Sequence, residues 1–98
     1  MSASYQAEDT LVLAQQLRVQ DVCLTANNTL LTVSGSDLKL QLNEPISSVL
    51  MVVKQVALGT ISGVVPTIGA DGTSIILTGE SAAVASTAYL IKYIATFP

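Results

Sequence analysis

The chain has no histidine and no tryptophan, a single cysteine, and only 11% charged residues. Each shortage excludes something. Histidine has the side-chain pKa nearest neutrality and is the commonest metal ligand. Without it, Ser/His/Asp and Cys/His nucleophile arrangements cannot be built. One cysteine, Cys23, cannot form an internal disulfide. Its run Val22-Cys23-Leu24 predicts a small buried hydrophobe. The basic residues are Arg18, Lys39, Lys54 and Lys92, scattered along a chain of formal net charge −3. Phosphate binding needs clustered Lys and Arg, so direct nucleic-acid binding is excluded. The longest uninterrupted apolar run is Val49 to Val53, far short of the roughly 20 residues that span a bilayer. The start, Met1 to Asp9, has no basic residue and Leu11 to Ala14 is too short for a secretory segment. Synthesis in a cytoplasm, with no membrane partner, is the expectation.

Chemistry is equally sparse among the acids. The carboxylates are Glu8, Asp9, Asp21, Asp37, Glu44, Asp71 and Glu80. Asp37, Glu44, Asp71 and Glu80 fall in predicted turns, where Asp bonds its own backbone and Glu is solvated. The Asp-x-Asp spacing of a calcium loop is missing. Gly59-Thr60-Ile61-Ser62-Gly63 is not followed by the Gly-Lys-Ser/Thr of a phosphate loop. The expectation is a protein that is not an enzyme, with no catalytic, cofactor-binding or metal-ligating residue.

What is present is a succession of short strand signals. Val19 to Thr25 and Thr29 to Ser34 flank Ala26-Asn27-Asn28 as a hairpin candidate. Ser34-Gly35-Ser36-Asp37 is a second turn, and Leu38-Lys39-Leu40-Gln41-Leu42 alternates as a half-exposed strand. Asn43-Glu44-Pro45 breaks the chain before a long strand over residues 48–58. A short strand at 61–65, a tight turn at Asp71-Gly72, and strands at 73–78 and 87–96 complete the chain. This predicts an all-β fold: an antiparallel β-sandwich, jelly-roll or immunoglobulin-like, of six to seven strands over residues 19–98. Residues 1–18 form an N-terminal lead, readable as an arm or as a short helix through Leu13 and Leu17.

Two strands are apolar on both faces. Alternation puts Val49, Met51 and Val53 on one face and Leu50 and Val52 on the other. The last strand sets Tyr89, Ile91 and Tyr93 against Leu90 and Ile94 beside Lys92. Tyr89, Tyr93 and Phe97 read either as core or as an interface row. An antiparallel strand is apolar on its outer face only where something covers that face. Covering it removes about 400–600 Å² per chain, a gross ~10–15 kcal/mol before the costs of association. The expectation is an assembly subunit, with interface residues Leu50, Val52, Leu90 and Tyr93 on the sheet. Tyr5, Leu11 and Leu13 are the anchors expected if the lead segment is an arm that orders on docking.

One resemblance fits this layout. The features are the polar lead Met1 to Thr10, Leu38-Lys39-Leu40-Gln41-Leu42 running through Glu44-Pro45-Ile46 into Val49 to Val53, the Asp71-Gly72 turn, and the closing Tyr89-Leu90-Ile91-Lys92-Tyr93. Together they resemble the small β-sandwich accessory proteins of tailed-bacteriophage virions, the capsid decoration or cement proteins. The resemblance implies a structural virion protein that binds an assembled capsid from outside and stabilises it. Its implied partners are further copies of itself, as a homotrimer, and the major capsid protein; its implied location is the capsid surface. The alternative is a tail-fibre or baseplate module that binds a host-surface glycan.

Overall fold

The computed structural model describes residues 17–96. Tyr5, Leu11, Leu13, Phe97 and the choice between arm and helix lie outside the described residues. Within them the chain is all-β, with eight strands and no helix. These are β1 (Leu17–Thr25), β2 (Leu31–Ser34), β3 (Asp37–Gln41), β4 (Ile46–Gln55), β5 (Ile61–Gly63), β6 (Pro66–Ile68), β7 (Ser74–Leu77) and β8 (Ala88–Thr96). They form two antiparallel four-stranded sheets, ordered β1-β8-β4-β5 and β2-β3-β7-β6. Two strands more are present than the sequence predicts, or one more at the upper count: the strand expected at 61–65 ends at Gly63 as β5, and after a crossing at Val64 and Val65 the chain forms β6, outside the expected bounds. At this crossing the Val64 amide bonds Val52 in one sheet, and the Val65 carbonyl receives the Thr78 amide from the other. Pro66 has no amide hydrogen to contribute, and it opens the edge strand β6, where that loss is tolerated.

The expected hairpin between residues 19–25 and 29–34 does not form. β1 pairs with β8 and β2 with β3, so these neighbours in sequence belong to different sheets. Asn28 makes the crossover: its amide bonds Thr25, its carbonyl receives Leu31, and its side-chain oxygen receives the Leu30 amide. The β2–β3 turn, in contrast, is a tight hairpin. Gly35 supplies the positive φ of 62° that a two-residue connection demands. β1 also begins at Leu17, so Leu17 and Arg18 belong to the sheet and not to the lead segment.

The inner faces of both sheets feed one buried cluster. β8 contributes Tyr89, Ile91, Tyr93 and Ala95, with Leu24 from β1 and Ile46 and Val52 from β4. The other sheet contributes Leu31, Leu38, Leu40, Ile75 and Leu77. Strict alternation in β8, and of leucines in β3, is what a strand with one core face should show.

Strand β4 departs from alternation. Its register against β8 slips between Ile46 and Ser48 and again between Val49 and Met51. Each slip inserts an extra residue, Ser47 and then Leu50, with no partner on β8. The bulges reset which side chains face inward: Ile46, Val49 and Val52 pair with Ala95, Tyr93 and Ile91 of the core row. The predicted grouping of Val49 with Met51 and Val53 is thereby overturned, and Val52 parts from Leu50.

Candidate functional site

The two sheets differ on the faces turned away from the core. In the β2-β3-β7-β6 sheet the register sets Thr32, Lys39, Ile76 and Thr67 in one outward row, with Ser34, Asp37 and Gln41 beside it. That is the polar exterior of a solvated sheet. In the β1-β8-β4-β5 sheet the outward rows are Val19–Ile94–Ser48, Asp21–Lys92–Met51, Cys23–Leu90–Val53 and Thr25–Ala88–Gln55–Ile61, with Leu17 opposite Thr96. Val19 is 62% exposed, and the bulge residue Leu50 is left 51% exposed. Asp21 and Lys92 are the only charged residues in these rows, and their Oδ1 and Nζ atoms stand 3.8 Å apart. At one end lies a shallow depression of about 200 Å³, lined mainly by Cys23, Val53, Gln55, Ile61, Ala88 and Leu90.

The sequence-predicted interface residues separate here. Leu90 lies on this outer face and Leu50 is exposed at its β4 bulge. Val52 and Tyr93 are 4% and 3% exposed and belong to the core, so their predicted interface role is corrected. Val52 was turned inward by the bulges; Tyr93 has the parity of Ile91. Cys23 is also corrected: it is exposed, opposite Leu90, while its neighbour Leu24 takes the buried position. The sequence reading passed over Leu17, Val19, Met51 and Ile61 as surface residues. A signal for Val19 was available, since Val22 and Leu24 fix the inward parity of β1 and so turn Val19, Asp21 and Cys23 outward.

The turn carboxylates divide in the same way. Asp71 behaves as predicted: its Oδ1 accepts the Thr73 amide at 3.0 Å and the Ser74 hydroxyl at 2.9 Å. Those two bonds, the Thr73 amide foremost, hold its carboxyl below the ordinary range. Glu44 and Glu80 are not simply solvated. Glu80 is buried, and it accepts the Tyr89 hydroxyl at 2.8 Å and Lys54 Nζ at 2.9 and 3.1 Å. Glu44 accepts the Tyr93 hydroxyl at 3.0 Å and pairs with Arg18. Both carboxylates therefore follow one plan, in which a tyrosine reaching through the core meets an acid that a strand-borne cation neutralises. Burial, then the bond to Glu44, pushes the Tyr93 hydroxyl up to about 12; burial and Glu80 raise Tyr89 as well. Among the described residues no buried side-chain polar atom lacks a partner. These clusters are saturated tethers between loops and strands.

Among the described residues no group of three metal-ligating side chains gathers, and no helix is long and apolar enough to cross a membrane. Comparison with protein-family models, with curated proteins and with solved structures finds no match.

Proposed function

We propose that the chain is a non-catalytic structural subunit of a larger assembly, a capsid decoration or cement protein of the tailed-phage kind. The observation that supports this reading is the contrast between its two outer sheet faces. One is polar, and the other carries Leu17, Val19, Cys23, Met51, Leu90 and Ile94 with one ion pair. A monomer that left such a face in water would carry a liability for aggregation, whereas a subunit of an assembly uses it. The fold in this reading is a β-sandwich. Its eight strands divide four and four, one more than the seven-stranded immunoglobulin form.

The mechanism is mechanical. A subunit that binds only the completed lattice stabilises that lattice by mass action, each copy adding interface free energy across shell-subunit boundaries. The partners are further copies of the chain and the major capsid protein at the virion surface. Adding purified protein to undecorated shells and pelleting them tests this. Saturable co-sedimentation with a raised temperature of shell rupture is expected; shells that neither bind it nor change their rupture temperature would overturn it. The glycan-binding alternative is weaker, because a sugar platform needs exposed aromatics and both described tyrosines are buried. A glycan array tests that reading directly.

A further inference from the structure

We infer that a second copy of this chain covers the outer face of the β1-β8-β4-β5 sheet, the two sheets packing face to face about a two-fold axis. This rests on the reading of the chain as an assembly subunit, and it names the partner of the apolar face.

Size is the first argument. β1 and β8 have nine residues each and β4 has ten, in a sheet four strands wide. At about 3.3 Å per residue and 4.8 Å per strand, the three long strands measure roughly 30 by 14 Å, and the three-residue β5 adds only a corner, about 480 Å² together. A face-to-face pair therefore covers about 950 Å² of flat outline in all, close to the roughly 1,000 Å² that separates specific interfaces from casual contacts.

Charge is the second. The outward rows carry one anion, Asp21, and one cation, Lys92, side by side. A surface with one charge of each sign is complementary to a copy of itself. Asp21 of one copy and Lys92 of the other can exchange partners, and no charge needs to be buried unpaired. Such an isologous pair is closed by its symmetry. The other arrangement, apolar face on the polar face of the next copy, sets Lys39 and Asp37 against a surface with no net charge to receive them. It also leaves an apolar face free at the end of every stack, so it grows without closing.

The test is the mass of the full chain in solution, by light scattering after size exclusion, from low micromolar to several hundred micromolar. A dimer is expected. Asp21→Lys, which sets like charges against each other in both copies, should weaken it at least tenfold, and adding Lys92→Asp should restore it to within about threefold. Leu50→Lys, at an exposed position, should weaken it likewise, and Thr32→Lys on the polar sheet should leave it unchanged. Thermal melts establish that each variant is folded. A trimer, or a dimer sensitive to Thr32→Lys and indifferent to Asp21→Lys and Leu50→Lys, overturns the face-to-face pair and leaves the assembly reading standing. A monomer that stays soluble throughout, and also fails to bind shells, overturns both.

Discussion

Tyr93 donates its hydroxyl to Glu44 Oε1 across 3.0 Å, joining the middle of β8 to the connection between β3 and β4. The consequence appears at high pH. An unfolded tyrosine ionises near 10, whereas the folded Tyr93 holds its proton to about 12. The folded state therefore binds the extra proton, so stability is fully present below pH 10 and falls as pH rises toward 12. The gap corresponds to roughly 2–3 kcal/mol, and Tyr89, also raised, adds to it in the same direction. Tyr93→Phe should cost about 1–2 kcal/mol at pH 7, measured by urea unfolding, and should flatten the alkaline decline. A variant that declines as steeply as the parent would show that Tyr93 is not its source.

The cluster around Glu80 makes a sharper prediction. Lys54 and Tyr89 both spend their polar groups on this one carboxylate. Glu80→Ala strands an ammonium whose side chain is largely buried, together with a buried hydroxyl. The expected loss is about 2–4 kcal/mol. Adding Lys54→Met should recover part of it, because the orphaned charge is then gone. Urea denaturation of the two variants measures the coupling. Simple additivity of the two changes would mean that Glu80 and Lys54 do not act as a pair.

Much of this was legible in the chain. β8 announced itself because one parity is wholly apolar, and the β2–β3 turn because Gly35 lies between alternating strands. The β4 pattern misled because Val49 to Val53 is apolar at every position, and such a run carries no mark of where a bulge falls. The β1–β2 link misled because Asn serves a crossover between sheets as readily as a hairpin. Glu44 and Glu80 looked like solvated turn residues, yet Tyr89 and Tyr93, once assigned to the core parity, each required an acceptor. That requirement was the missed signal. The apolar outer face was half visible, through Leu90 and Ile94, and the β1 contribution was hidden by the assumption that a cysteine between Val22 and Leu24 is buried.

Gly69 is fixed by contact and not by backbone angle. A Cβ built there would lie 2.0 Å from the Ser74 hydroxyl, which is fully buried and bonded to Asp71. The Gly69 amide bonds the Ser74 carbonyl as well, so the two residues cannot separate freely. Gly69→Ala should destabilise the protein by about 1–3 kcal/mol through overpacking. The double variant Gly69→Ala with Ser74→Gly frees the space and should recover a share of the loss, beyond what Ser74→Gly alone predicts. Melting temperatures of the three variants close the cycle; the absence of recovery would place the strain elsewhere.

Cys23 reports on the apolar face without any substitution. Its thiol is exposed and lies opposite Leu90 at the depression on that face. A maleimide should therefore label it readily in dilute protein, since no local unfolding is needed to reach the sulfur. If a second copy covers the face, the labelling rate must fall as the protein associates, by tenfold or more once the associated form exceeds about 90% of the total. Folded Asp21→Lys protein, held apart by like charges, should label at the dilute rate across the same concentrations. A rate that stays constant while the measured mass doubles would mean the copies meet through some other surface, with Cys23 still open to water.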